Sequence, residues 1–95
     1  MSEDTYEWDA DKAAANLRNH GVAFAEAIKA FRDPLAIEWL DDREDYGEQR
    51  VNMIGMSEGM LLHLTYTHRG ASIRIISARQ AQGYEQSYYY RENAR

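Results

Sequence analysis

The chain has 95 residues, a mass of 11.0 kDa, 44% hydrophobic residues and one proline, which points to a single domain over residues 1–95 with a modest core and excludes a two-domain enzyme. It has no cysteine, so disulfide scaffolds, thiolate zinc sites and thiol catalysis are excluded together. The net charge of −5 is uneven: residues 1–48 carry a balance of −8 and residues 49–95 a balance of +3. The second half can therefore present a basic surface to phosphates although the whole chain is acidic. Charges recur through Met1–Leu17 and no apolar run nears the ~20 residues of a membrane helix, so no membrane partner and a cytoplasmic location are expected.

In chain order, residues 5–8 read as a short strand. Asp9 is placed to cap a helix over Ala10–His20, with Asp11 in its first turn and Gly21 at its stop. Phe24, Ala27, Ile28 and Phe31 then form one apolar stripe of a second helix, which Asp33-Pro34 ends. Leu35–Leu40 is strand-like, and Asp41–Glu48, with five acids and Gly47, is a solvated loop. Its spacing lacks the ligand period and glycine of a calcium loop, so no metal site is expected.

Between Arg50 and Ser77, the turns Glu58-Gly59 and Arg69-Gly70 separate three strand patterns and predict a meander. The first turn pairs Val51 with Tyr66, Met53 with Leu64 and Gly55 with Leu62. The second pairs Tyr66 with Ile73 and Leu64 with Ile75. The period-2 rule puts these side chains on one apolar face and Arg50, Asn52, His63, Thr65, Thr67, Ser72 and Arg74 on the other, with Asn52, Thr65 and Arg74 in one row. After Ser77 the chain turns helical again, either from a Ser77–Gln80 capping box or from nearer Gln82 with Glu85 in the first turn. The expected class is α+β: an antiparallel sheet with two N-terminal helices and one C-terminal helix.

Two constellations carry candidate chemistry. Lys12, Asn16 and His20 recur every four residues and form a polar stripe on the first helix. Arg50 and Arg74 share a sheet face with no acid placed opposite them, and two guanidinium groups so arranged invite an anion such as phosphate. The alternatives are a solvated helix face for the first and, for the second, a wet face or one covered by the C-terminal helix with Glu85 or Glu92 pairing the arginines. Trp8, Phe31 and Trp39 are core candidates before they are base-stacking ones.

The segments Tyr6-Glu7-Trp8-Asp9, Lys12, Asn16, His20-Gly21-Val22, Phe24, Glu26-Ala27, Phe31, Asp33-Pro34, Gly47-Glu48, Arg50, Ile54-Gly55, Tyr66-Thr67, Arg69 and Ile73-Arg74-Ile75-Ile76-Ser77-Ala78-Arg79 resemble the BrnT-like toxins of bacterial type II toxin–antitoxin systems. The resemblance implies a RelE-like fold and a cofactor-free, metal-independent endoribonuclease that inhibits translation by cleaving RNA, free or on the ribosome. It also implies a cognate antitoxin, commonly a ribbon-helix-helix protein, through which alone the promoter DNA is bound.

Metal-free RNA cleavage needs a base for the 2′-hydroxyl, cations around the phosphorus and an acid for the leaving oxygen. Arg50, Arg74 and Arg79 are the expected cationic cradle, Lys12 a further donor, and His20 or His68 the proton carrier, with Tyr89 as a substitute. Asn16, Asn52, Thr65, His68, Arg69 and Tyr89 complete the expected RNA-contacting set. His68 stands where such sequences usually carry Glu, and the last helix is poor in Arg and Lys. The competing expectation is therefore a non-catalytic, degenerate toxin that binds antitoxin and tunes promoter repression.

Overall fold

A computed structural model describes residues 5–94 of the chain. The elements are β1 (Thr5–Glu7), α1 (Ala10–His20), α2 (Phe24–Ala27), a 3₁₀ segment (Ile28–Arg32), β2 (Ile37–Asp41), β3 (Arg50–Ser57), β4 (Met60–Arg69), β5 (Ser72–Gln80) and α3 (Gly83–Asn93). The class is α+β, with one sheet in the order β1-β5-β4-β3-β2. Its pairings are antiparallel except for β1, which lies parallel to β5. The expected sheet is antiparallel throughout, and the parallel pairing of β1 with β5 departs from it.

Local chemistry explains the N-terminal boundaries. The Asp9 carboxylate accepts the Lys12 amide at 3.0 Å, and Gly21 takes the left-handed conformation (φ 71°) that closes α1 on Leu17 O. The second helix is shorter than its apolar stripe predicts: one α turn tightens into the 3₁₀ segment and stops at Asp33, extended at ψ 113° ahead of Pro34. Gly55 lets this segment lie against β3, since a Cβ there would sit 3.0 Å from Ala30 O.

The Glu58-Gly59 turn, with φ values of 48° and 82°, gives the expected β3–β4 register, including Val51 opposite Tyr66 and Met53 opposite Leu64. The β4–β5 register differs from expectation. The two-residue turn is Gly70-Ala71, one position later than Arg69-Gly70, so Tyr66 faces Ile75 and Thr67 faces Arg74. A Gly-X order is what a type II′ turn asks for. The shift is two residues, so the face assignment survives: Arg50, Thr65 and Arg74 lie on one face and Val51, Met53, Leu64, Tyr66, Ile73 and Ile75 on the other. The row changes, because Asn52–Thr65 continues into Ser77, and Arg74 joins Arg50–Thr67.

Between Thr65 and Tyr66 the register slips, and Ile76 is the extra residue on β5. In a regular strand Arg74 and Arg79, five apart, would point to opposite faces. The bulge inverts the parity, so that Ala78 joins the apolar face and Arg79 the polar one.

Two cores flank the sheet. On one side Ala13 of α1, Val22 in the link that follows it, Phe24 and Ala27 of α2 and Ala30 of the 3₁₀ segment pack onto Met53, Leu64, Tyr66 and Ile75, with Phe31 edge-on to Tyr66 at 5.1 Å. On the other side α3 covers only one end, where Tyr89 meets Ile54, Leu61 and Ala81, and Trp39 lies half-buried beside them. Asp33 ties α3 down: its Oδ2 accepts from the Tyr89 hydroxyl at 2.7 Å and from the Met56 amide at 2.8 Å. Helix α3 starts from Gln82, whose amide donates to the Glu85 carboxylate at 2.8 Å. Of the two starts expected for this helix, the later one is found, because β5 continues to Gln80.

Candidate nucleic-acid interface

The part of the polar face that α3 leaves uncovered is an open groove of about 700 Å³. Asn52, His63, Thr65, Ser77 and Arg79 form its floor, Trp39 and Arg43 lie on the β2 side, and Tyr84, Tyr88 and Arg91 of α3 make the far wall. The Thr65 hydroxyl donates to Asn52 Oδ1 at 2.8 Å, which leaves the donor side of that amide for a ligand. Tyr88 packs edge-on to Trp39 at 6.0 Å and lies under the Arg91 guanidinium at 5.8 Å. Tyr84 is 70% exposed.

Glu85 organises the charged floor. Although buried, it receives both Arg79 terminal nitrogens, at 2.7 and 2.9 Å, and its Oε2 lies 3.7 Å from His63 Nε2. Burial alone would raise the Glu85 carboxyl; the Arg79 bonds, the Gln82 amide and nearby charge outweigh it and hold the group below its ordinary value. His63 is pushed below the usual imidazole value first by burial and then by the Arg79 charge, which together exceed the pull of Glu85. At neutral pH it is therefore a free-base imidazole next to a rigidly held guanidinium, a pairing suited to taking a proton beside developing negative charge.

The expected site residues divide by face. Arg50, Asn52, Thr65, Arg69, Arg74 and Arg79 share the polar side of the sheet. Lys12 and His20 are exposed on α1, which packs against the opposite side. His68 also faces that side, edge-on to Tyr66 at 5.6 Å. Asn16 is buried, and its amide is spent on backbone: Nδ2 donates to Val22 O and Ala78 O at 2.9 and 2.7 Å, and Oδ1 accepts from Ala78 N at 3.1 Å. Tyr89 is buried beneath α3 on Asp33. The structure thus brings the arginines together and separates them from Lys12, His20 and His68.

Sequence reasoning passed over His63, Arg43, Arg91 and the aromatic wall. His63 carried a usable signal, since it alternates with Thr65 and Thr67. The residues from α3 did not, because its angle over the sheet comes from the Asp33–Tyr89 and Arg79–Glu85 contacts.

Each arginine of this face meets a carboxylate of its own chain: Arg79 with Glu85, Arg50 and Arg69 with Glu48, and Arg74 with Glu7 at 3.5 Å. The alternative in which Glu85 pairs Arg50 or Arg74 is not what is found: Glu85 of the last helix binds Arg79, while Arg50 and Arg74 lie beside Glu48 and Glu7. The acidic loop is exposed at Asp42, Glu44 and Asp45, whereas Asp41 is gripped by Arg43 with two bonds of 2.8 Å and Glu48 is half-buried beside Arg50 and Arg69. Among the described residues no three His, Asp or Glu side chains are grouped to hold a metal ion. Nor is any of their helices long and apolar enough to cross a membrane.

The chain is thus a small α+β domain with α1, α2 and the 3₁₀ segment on one face of its sheet and, on the other, a groove lined by arginine and tyrosine side chains beside α3. Residues 8–85 match the family of BrnT ribonuclease toxins of type II toxin–antitoxin systems, and the chain belongs to that family. A search of curated proteins found no match. Membership makes a protein antitoxin the partner of the family to which this chain belongs.

Proposed function

We propose that this protein is a metal-independent endoribonuclease of RelE-like fold that arrests translation by cleaving RNA in the groove between β4, β5 and α3, and that its cognate antitoxin, a ribbon-helix-helix protein, neutralises it. The observation that carries this reading is the placement of the His63 imidazole beside Arg79 and Glu85 on the groove floor. His63 takes the 2′-hydroxyl proton, the attacking oxygen forms a bond to phosphorus as the bond to the 5′-oxygen breaks, the departing 5′-oxygen takes a proton from a solvent water that the imidazolium then restores, and Arg79 stabilises the charge on the phosphoryl oxygens. Tyr84 and Tyr88 supply ring faces for bases of an unpaired strand. Glu85 is a positioning residue, and Arg50, Arg69 and Arg74 bind the strand farther along the sheet. Lys12 and His20, on the other side, have no part in this mechanism.

The test is incubation of the purified protein with RNA in excess EDTA, with and without ribosomes. Fragments ending in 2′,3′-cyclic phosphate are expected, and His63→Ala should slow their formation by about 10²-fold, the usual scale for a lost general base. The self-neutralised arginines favour a second reading, a binding module without cleavage. An intact RNA pool under both conditions, with retained antitoxin binding, would select it.

A further inference from the structure

We propose that Arg50 and Arg69 form a second phosphate-binding subsite, outside the groove, and that the Glu48 carboxylate is an internal stand-in which RNA displaces. This rests on the RNA-binding reading above. Glu48 presents one oxygen to each cation: Oε2 lies 3.4 Å from Arg50 Nε and Oε1 lies 3.7 Å from Arg69 Nη2. Bridging two guanidinium groups on neighbouring strands is what a phosphodiester, with two anionic oxygens, does equally well.

The contrast with Arg79 and Glu85 shows which carboxylate is replaceable. That pair is bidentate at 2.7 and 2.9 Å with a buried acid, whereas both Glu48 contacts are longer than the 2.7–2.9 Å of strong charge-assisted bonds. Glu48 also stands on the loop between β2 and β3. Arg50, by contrast, is pre-oriented, its guanidinium stacked 4.1 Å from the centre of the Tyr46 ring. Arg74 sits in the same cross-strand row, and its buried Nε has no hydrogen-bond partner.

The subsite lies in line with the groove. The Arg50–Thr67–Arg74 row and the His63–Arg79 row are four residues apart along β4, about 13 Å at roughly 3.3 Å per residue. The neutral Asn52–Thr65–Ser77 row lies between them. A strand held at both ends therefore spans more than one nucleotide, and a fragment confined to the groove cannot reach Arg50.

The experiment measures binding of 2′-O-methyl oligoribonucleotides, which lack the attacking hydroxyl, by fluorescence anisotropy, comparing a dinucleotide with an octanucleotide. Glu48→Gln should bind the octanucleotide about fivefold more tightly, and the logarithmic salt dependence should steepen by about 0.7, the increment for one further phosphate contact on a single strand. Dinucleotide binding should be unchanged, and adding Arg69→Ala should cancel the gain. If Arg79→Lys weakens both oligonucleotides while Glu48→Gln changes neither, or strengthens both equally, the second subsite is wrong and the groove stands. If neither the parent protein nor Glu48→Gln binds either oligonucleotide, both readings fall.

Discussion

Asn16 completes the edge of β5 at Ala78 in the way a neighbouring strand would, accepting from its N–H at 3.1 Å and donating to its C=O at 2.7 Å. Strand β1 pairs only Ser72–Arg74, so beyond it the edge is satisfied by a side chain of α1. Replacing Asn16 with Ala would strip a buried N–H and two carbonyls of their partners. A loss of about 3 kcal/mol is expected in urea unfolding, on the scale of 1–3 kcal/mol per unsatisfied buried group. Asn16→Asp should be no better, because a carboxylate repels both carbonyls. A loss below about 1 kcal/mol in either variant would show that water replaces the amide.

Stability should fall with pH in two steps. His63 has a folded pKa below its ordinary 6.5, so the unfolded chain binds its proton first and folding loses free energy as pH drops below about 6.5. Glu85, held below 4.5, and Asp41, held at about 2 by Arg43 against an ordinary 3.8, act in the same direction. Their contribution is complete above their unfolded values and disappears as pH falls through the folded ones. Melting temperatures across pH 2–8 should show both losses, and His63→Gln should abolish the upper step alone.

The same titration should appear in catalysis. With His63 as the base, the cleavage rate should rise with pH and level off around a value below 6.5, the free base being the active form. A rising limb that persists in His63→Gln would assign the base to another group.

Tyr89 and Asp33 should report on the seating of α3. Burial and the Asp33 carboxylate push the Tyr89 hydroxyl up to about 12, so this pair stabilises the fold fully below pH 10 and progressively less between 10 and 12. Tyr89→Phe should remove that alkaline loss and cost about 2 kcal/mol at neutral pH, the scale of a hydrogen bond to a charged group. Alkaline and chemical unfolding curves of the two proteins decide it.

Much of the architecture was legible where local chemistry decides it. The Asp9 cap, the Gly21 stop and the Glu58-Gly59 hairpin each depend on a few adjacent residues, and they were placed correctly. The β4–β5 turn was not, because Arg69-Gly70 and Gly70-Ala71 are both acceptable hairpin dipeptides and the choice depends on which register seats Ile75 against Tyr66 in the core. The candidate groove was half legible. Period-2 alternation brought Arg50, Asn52, Thr65 and Arg74 to one face, but no periodicity could say that α1 packs against the other, which separates Lys12 and His20 from them. The tyrosine wall depends on where α3 docks, and its anchors Asp33 and Tyr89 are 56 residues apart.

The extra residue at Ile76 makes the groove sensitive to chain length rather than to side-chain identity. Another β-branched residue at position 76 would leave the parity of β5 unchanged. Deleting one residue between Arg74 and Arg79 would turn a guanidinium into the helix-side core and bring the small Ala78 methyl to the groove floor in its place. Relatives that diverge by descent can thus exchange residues along β5, whereas a gap of one there should appear only with a compensating insertion beside it, because the count of residues aims Arg79 into the groove.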